Sequence, residues 1–285
     1  MYTSHFGFKE NPFNLSPDPR YFFLSPQHRE AMNHLLYGIH EKKGFIVITG
    51  GIGTGKTTLC RSLLTSLNDS VATALVFNSA MAEIELLETI TQEFGIAMGR
   101  LRRTRKRYID KLNEFLLRNF AAGRNAVLLI HEAQNLSHAV MEQLRMISNL
   151  ETEREKLLQI VLVGQPELKE LLALPSLRQL NERITVRYDL HALDSEHVRR
   201  YIEHRLSVAG GGNMIFSGGA YRKIYDQSEG NPRRINAICD RTLLIAYTKD
   251  QRIIDGRIVR EAVRDIGRSY LPPGWWRRIR ARLFS

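Results

Sequence analysis

The sequence predicts an α/β fold, a three-layer sandwich built on a parallel sheet, with a smaller α-helical domain after it. Up to residue 192, short apolar runs alternate with stretches of helical periodicity, the order typical of a parallel sheet covered by helices. Several runs are apolar throughout, as in strands buried on both faces. From Asp194 onward the pattern is helical only, which indicates a change of domain.

Five strands are predicted in the first part of the chain. They cover residues 45–49, 71–77, 126–130, 157–164 and 184–190. Helical spacing of apolar residues predicts helices at residues 26–41, 58–64, 82–94 and 108–120 and another that begins at Ser137. In the second part, helices are predicted at residues 195–209, 218–228, 232–248 and 256–268. Asn231-Pro232 is a typical helix start, with an asparagine cap and proline in the first turn.

These patterns divide the chain into four segments. We expect an N-terminal arm and first helix at residues 1–43, a nucleotide-binding domain at 44–192, a helical domain at 193–269 and a tail at 270–285. Prolines and aromatic residues alternate in the first 25 residues, so this arm is predicted to pack its rings without regular structure. It either forms a wall of an adenine pocket or is a simple packing arm.

A phosphate-binding loop lies between the first strand and the next helix. Its pattern is a glycine, four residues and then Gly-Lys-Thr, and it comprises Gly50, Gly51, Ile52, Gly53, Thr54, Gly55, Lys56 and Thr57, with Thr58 continuing the helix. The glycines let backbone amides point at phosphates, and the helix adds its positive end. Lys56 is predicted to reach the β- and γ-phosphates, and the Thr57 hydroxyl to ligate Mg²⁺. The loop therefore predicts ATP binding.

A second motif follows the third strand. The run from Val127 to Gln134 is an apolar strand that ends in polar residues. In P-loop proteins, a strand of this form carries the residues that hold Mg²⁺ and activate water. Glu132 is the predicted general base for the attacking water. The preceding position, where aspartate is expected, is His131. Because Mg²⁺ prefers oxygen ligands, we expect His131 to weaken metal positioning and hydrolysis while binding survives.

Four further residues are candidates for contacts with the nucleotide. Gln165 ends the fourth strand and is predicted to contact the γ-phosphate or the water, or else to be a turn residue. Arg178 and Arg183 precede the fifth strand, and either can act as an arginine finger on a neighbouring subunit or form a surface ion pair. Arg233, in the first turn of a helix of the second domain, is predicted to contact the nucleotide as that domain closes.

The net charge of +11 is concentrated in two clusters. Residues 100–107 hold six basic residues and no acid, and residues 271–285 hold four arginines and no acid. Such clusters favour phosphate-rich partners, either nucleic acid or anionic lipid, although the first cluster can equally be a solvated surface. Residues 1–14 do not resemble a signal peptide, and no run has transmembrane length, so we expect a cytoplasmic protein.

Taken together, the motifs resemble a known family, the AAA+ ATPases of the general secretion pathway protein A (ExeA) type, which includes pilus-biogenesis ATPases such as MshM. The matching segments besides the phosphate loop are residues 5–13, 17–21, 25–31, 129–136, 158–168 and 230–236. The combination of the N-terminal pattern with Glu-Ala-Gln and Gly-Gln-Pro-Glu-Leu is specific, and the similar segments span roughly residues 1–268.

This resemblance implies a P-loop NTPase fold with strand order 5-1-4-3-2, a C-terminal helical lid, and ATP with Mg²⁺ as ligands. It also implies an ATP-dependent homo-oligomer that helps assemble a secretion, pilus or exopolysaccharide apparatus with an inner-membrane partner. Two residues depart from the family pattern. His131 replaces an aspartate, and Asn181 stands where relatives often carry an arginine, so that Arg178 or Arg183 would have to serve as the finger.

Two rival functions and one membrane contact remain open from the sequence. The first rival is a DNA-binding transposition-type AAA+ ATPase, favoured by the basic residues 100–107. The second is a nucleotide-gated scaffold with weak hydrolysis, favoured by His131. The tail combines aromatic residues with arginines. This pattern predicts either a peripheral contact with anionic lipid at the inner membrane or a disordered or partner-docking segment.

Overall fold

The structure is a computed structural model that describes residues 2–15, 18–68, 70–77, 81–99, 104–152, 155–211 and 215–270. The chain forms two compact units. One comprises residues 26–191, and the other comprises residues 1–25 together with residues 192–285. Residues 100–103, part of the first basic cluster, and the tail 271–285 lie outside the described residues, so what the sequence predicts for them stays a prediction.

The unit of residues 26–191 is an α/β sandwich around a five-stranded parallel sheet. Its strands are β1 (Phe45–Gly50), β2 (Val71–Val76), β3 (Asn125–His131), β4 (Gln159–Gly164) and β5 (Ile184–Leu190). Its helices are α2 (Pro26–His40), α3 (Lys56–Ser66), α4 (Glu83–Glu93), α5 (Arg105–Ala121), α6 (His138–Ile147), α7 (Glu167–Leu172) and α8 (Arg178–Asn181). Short 3₁₀ turns at Ala133–Asn135 and Pro175–Leu177 complete it.

The sheet has the order β2-β3-β4-β1-β5, which confirms the order expected from the family resemblance. β1 and β4 are buried along their whole length, as their continuous apolar sequences predict. In register, Thr49 of β1 lies opposite Gly164 of β4, and Val163 of β4 lies opposite His131 of β3. The carboxyl ends of the three central strands therefore meet at one edge of the sheet.

Helix α2 packs against β5 and β1, so it is part of the α/β unit. The Tyr188 hydroxyl of β5 donates to Glu30 at 3.0 Å, and an added Cβ at Gly38 would lie 2.5 Å from Ile46 Cδ1. This close contact needs a glycine in the helix. The unit begins at residue 26, whereas the sequence led us to expect its start at residue 44, because the sequence pattern does not reveal which surface α2 covers.

The second unit is helical. It contains α9 (Ser195–Val208), α10 (Gly218–Ser228), α11 (Pro232–Thr248) and α12 (Gly256–Tyr270), with α1 (Tyr2–Phe6) and a 3₁₀ turn at Pro19–Tyr21 from the N-terminal arm. The aromatic rings of Phe8, Phe13 and Tyr21 belong to its hydrophobic core. The arm is thus an integral part of this unit's packing.

Arg205 of α9 fastens the arm to the helices of its unit. Its guanidinium is buried and donates to the backbone oxygens of Pro12 at 2.6 Å and Asn14 at 3.1 Å. It also lies 4.7 Å from the centre of the Tyr21 ring. The planar five-donor group satisfies several carbonyl oxygens at once, which a lysine cannot do in this geometry.

Candidate functional site

The phosphate loop joins the end of β1 to the start of α3. Gly53 and Gly55 have φ values of +80° and +99°, a region that other residues rarely adopt. The Thr54 hydroxyl donates to the Gly51 carbonyl at 2.9 Å and so closes the loop on itself. Ile52 at the tip is 61% exposed. The loop therefore has the curled backbone that its glycine pattern predicts.

Lys56, the first residue of α3, lies inside the loop. Its ammonium group is buried and donates to the carbonyl oxygens of Gly50 at 2.7 Å and Gly51 at 2.9 Å. Burial lowers the pKa of Lys56, and the carboxylate of Glu132 acts in the opposite direction. A phosphate oxygen is a stronger partner for this cation than a neutral carbonyl, so Lys56 is held where it can exchange one for the other.

A buried histidine of α2 contacts the same loop. His28 Nε2 lies 3.0 Å from the Thr54 carbonyl oxygen, and an added Cβ at Gly55 would lie 2.8 Å from this nitrogen. Burial lowers the pKa of His28, against the effect of its hydrogen bond with Thr54. No role was predicted for His28, because the sequence alone does not show that α2 packs beside the loop.

Thr57 faces the residue that departs from the family pattern. Its hydroxyl oxygen lies 2.9 Å from His131 Nε2, at the end of β3. The other ring nitrogen, Nδ1, lies 3.5 Å from a carboxylate oxygen of Glu132, which only accepts hydrogen bonds. This neighbour favours the proton on Nδ1 and leaves Nε2 to accept from the Thr57 hydroxyl. Burial lowers the pKa of His131, while Glu132 acts in the opposite direction.

Glu132 sits directly after β3 with φ of +55°, an unusual backbone conformation for a non-glycine residue. Its Oε2 atom accepts hydrogen bonds from Gln134 at 2.6 Å and Gln165 at 3.1 Å. Burial favours the neutral acid, but these hydrogen bonds and the charge of Lys56 outweigh it and lower the pKa of Glu132. The carboxylate is thus ionised and fixed in direction at neutral pH.

Gln134 and Gln165 connect the ends of two neighbouring strands. Besides contacting Glu132, Gln134 accepts a hydrogen bond from the backbone amide of Gln165 at 3.0 Å. An added Cβ at Gly164 would lie 2.9 Å from the Gln134 side-chain oxygen, so glycine is needed there. Gln165 was predicted from the sequence and Gln134 was not, although both follow a buried strand. The two amides orient the Glu132 carboxylate.

The candidate arginine fingers have partners within their own unit. Arg178 pairs with Glu182 at 2.9 Å, and its side chain is 80% exposed. Arg183 donates to the Ser148 hydroxyl at 3.0 Å and to Asn149. Asn181 accepts a hydrogen bond from Arg187 at 2.6 Å. Arg178 thus sits in a weak surface pair that a stronger anion can replace, whereas Arg183 is tied to the end of α6.

Arg233 lies in the helical unit, in the first turn of α11. Its backbone amide donates to the Asn231 side chain at 3.0 Å, which is the predicted helix cap. Its neighbour Arg234 donates to Glu229 at 3.0 Å. Arg233 is exposed. Its contact with the nucleotide stays a prediction.

The donors at this site do not fit magnesium well. Thr57 offers one hydroxyl oxygen, and the group beside it is the imidazole of His131. Magnesium prefers carboxylate and water oxygens and binds imidazole poorly. Across the described ranges, no group of three or more His, Cys, Asp and Glu side chains is placed to hold a metal ion. His131 therefore departs from the family pattern in its contact with Thr57 as well as in its residue type.

The fold class of the α/β unit follows from its sheet and loop together with a family comparison. Residues 39–172 match the protein-family model for an AAA domain. The phosphate loop between β1 and α3, the sheet order and the helical unit that follows have the arrangement of AAA+ P-loop ATPases. The α/β unit is thus an AAA+ P-loop domain.

A curated relative makes the resemblance more specific. The chain is 44% identical over 259 residues to General secretion pathway protein A of Aeromonas hydrophila. The similarity covers 90% of this chain and 47% of the relative, so the chain spans about half the length of that protein. The resemblance to this type of AAA+ ATPase is therefore confirmed.

Three solved structures illustrate the fold that this chain shares with other proteins. The Aeropyrum pernix ORC2 protein, in ADPNP-ADP complexes, has a TM-score of 0.64 at 17% identity, covering 90% of this chain and 72% of that one. Cdc6p from Pyrobaculum aerophilum has a TM-score of 0.67 at 17% identity, with 90% and 70% covered. The Thermotoga maritima RuvB Holliday junction branch migration motor has a TM-score of 0.57 at 17% identity, with 84% and 68% covered. At these identities the likeness concerns the fold.

The helices of the described residues were also compared with what a membrane span requires. None of them has both the length and the apolar character for crossing a bilayer.

Proposed function

We propose that this protein binds ATP through residues 50–57 and hydrolyses it with Glu132 as the general base. One observation carries the proposal: at the carboxyl edge of the sheet, a buried lysine inside a curled glycine loop adjoins a carboxylate held by two amides. The loop amides and Lys56 bind the phosphates. The Thr57 hydroxyl is the predicted Mg²⁺ ligand, and with the His131 imidazole beside it we expect that ion to be held weakly.

Glu132 has the properties of a base that activates water. It is ionised, about one third of its side chain is exposed, and Gln134 and Gln165 fix its direction. Gln165, as a second strand-end residue at the same edge, contacts the γ-phosphate or the water. Because His131 supplies no negative charge beside Thr57, we expect slow turnover compared with sites that have aspartate there.

The name of the curated relative supports a proposal for the cellular role. Its name places that protein in the general secretion pathway. We propose that this chain, as an ATP-dependent homo-oligomer, assists assembly of a type II secretion, pilus or exopolysaccharide apparatus at the bacterial inner membrane. In the oligomer, Arg178 is the better-placed finger, because only an exposed ion pair holds it. Arg233 is proposed to contact the nucleotide from the helical unit.

ATP turnover and ATP-dependent oligomerisation test the proposal in the wild type, Lys56→Ala, Glu132→Gln and His131→Asp. We expect Lys56→Ala to lose binding and Glu132→Gln to bind ATP with turnover lowered at least ~100-fold. His131→Asp is expected to raise turnover. Turnover that persists in Glu132→Gln would contradict the assigned base, and binding with assembly but no turnover in any form would favour the nucleotide-gated scaffold.

A second candidate function is DNA binding by a transposition-type AAA+ ATPase. The six basic residues at 100–107 favour it. Salt-dependent affinity for duplex DNA separates the two candidates, because phosphate contacts give a steep loss of affinity with rising salt. Binding that is equally weak at low and high salt would remove this candidate.

A further inference from the structure

We propose that His131 makes nucleotide binding at this site largely independent of magnesium. The inference rests on the proposed function, namely that residues 50–57 bind ATP. It concerns a property that ATP binding alone does not imply, since the nucleotide of a P-loop site normally arrives with its metal ion and needs it for charge neutralisation.

The geometry shows that His131 keeps one role of the missing aspartate. Its Nε2 atom lies 2.9 Å from the Thr57 hydroxyl oxygen, a hydrogen-bond distance. The ring is buried, and its Nδ1 atom faces Glu132 at 3.5 Å. With Nε2 as acceptor, the Thr57 hydroxyl is held in one orientation, as a carboxylate oxygen would hold it. The local structure therefore does not depend on a metal ion for its order.

The charge of the site differs from that of an aspartate-containing site. An imidazole carries no negative charge in either protonation state, whereas an aspartate would add one beside the phosphates. The carboxylates that act on the charge of Lys56 are Glu132 and Glu167. With one carboxylate fewer beside Thr57, a metal-free nucleotide meets less repulsion, and a divalent cation gains less attraction. Both effects reduce the contribution of magnesium to affinity.

The test is the affinity for ATP, measured by isothermal titration calorimetry with excess Mg²⁺ and again with EDTA. For the wild type we expect the two dissociation constants to agree within about threefold. In His131→Asp the added charge should make binding in EDTA weaker than in Mg²⁺ by on the order of tenfold or more, since unit charges a few ångströms apart interact by several RT at an intermediate dielectric.

Two control variants separate charge from shape and position. His131→Asn keeps a neutral acceptor beside Thr57 and should remain independent of magnesium, like the wild type. His40→Asp adds the same charge at the exposed end of α2, where the side chain is 88% exposed, and should also leave the ratio unchanged. If His40→Asp raised the ratio of the dissociation constants in EDTA and in Mg²⁺ as much as His131→Asp does, the effect would not depend on a charge beside Thr57, and the inference would be wrong.

The outcomes distinguish this inference from the proposed function. If wild-type affinity falls tenfold or more in EDTA, or if His131→Asp shows no greater magnesium dependence than the wild type, the inference is wrong and ATP binding stands. If Lys56→Ala binds ATP as tightly as the wild type under both conditions, the loop is not the site, and the proposed function fails together with the inference.

Discussion

Two buried histidines contact the phosphate loop. His131 is hydrogen-bonded to the Thr57 hydroxyl, and His28 of α2 is hydrogen-bonded to the Thr54 carbonyl. The first was visible in the sequence, because it occupies a motif position where another residue is expected. The second was not, since only the packing of α2 beside the loop gives His28 its contact. Motif spacing therefore predicts residues within a motif better than residues that support it from another element.

His28 is predicted to stiffen the loop for nucleotide binding. His28→Ala removes the bond to Thr54 and leaves space next to Gly55, so affinity for ATP should fall by about three- to tenfold, the value of a typical hydrogen bond. Calorimetry with ATP measures this. His34→Ala, on the same helix and against the ring of Tyr188, is the matched control and should bind like the wild type. Equal affinities in all three forms would contradict the role of His28.

At the scale of elements, the apolar pattern predicted the sheet well. The five predicted strands correspond to β1–β5, and their ends differ by at most two residues. The fourth was predicted from residue 157, but β4 begins at Gln159, because Leu157 and Leu158 are buried without joining the ladder. Burial and strand pairing both favour apolar residues, so a strand end within an apolar run is not visible in the sequence.

Helix α9 has an acidic cap whose effect depends on pH. The Asp194 carboxylate accepts a hydrogen bond from the His197 amide at 2.8 Å, and this bond, opposed by slight burial and helped by the His197 ring, lowers the pKa of Asp194. The pKa of Asp194 is lower in the folded protein than in the unfolded chain. The stabilisation that Asp194 gives the folded protein is therefore complete above the ordinary pKa of 3.8, and it is lost as the pH falls through the pKa of the folded protein.

We expect Asp194→Ala to destabilise the protein by about 1 kcal/mol at neutral pH, as other cap removals do. Asp194→Asn retains a capping oxygen without the charge, so it should keep most of the stability and lose this part of the pH dependence. Unfolding followed by circular dichroism at neutral and acid pH measures both. If Asp194→Asn is as unstable as Asp194→Ala at neutral pH, the capping account is wrong.

At the scale of the whole molecule, the chain order of segments does not match the two compact units. Residues 2–25 pack in the helical unit, although about 170 residues of chain separate them from α9, while α2 belongs to the α/β unit. The sequence indicated that the rings of the arm are buried, but apolar character alone does not specify the core that receives them. In the structure, the hydrogen bonds from Arg205 to the Pro12 and Asn14 carbonyls hold the arm against the helices of its unit.

The two units also explain why the candidate residues differ in how far the sequence could predict them. The phosphate loop, Glu132 and Gln165 all follow strands of one sheet, so the sheet order brings them to the same edge. The family resemblance supplied that order. Arg233 belongs to the other unit, so the strand order does not predict its proposed contact with the nucleotide.

We propose that the glycine loop around Lys56 is the nucleotide site of this protein. The most direct test is equilibrium binding of ATP to the full chain, with the wild type beside Lys56→Ala. Lys111→Ala removes a lysine from a surface pair with Glu114 in the same unit and serves as the matched control. We expect the wild type and Lys111→Ala to bind ATP saturably and Lys56→Ala to lose this binding. Equal binding by all three proteins would contradict it.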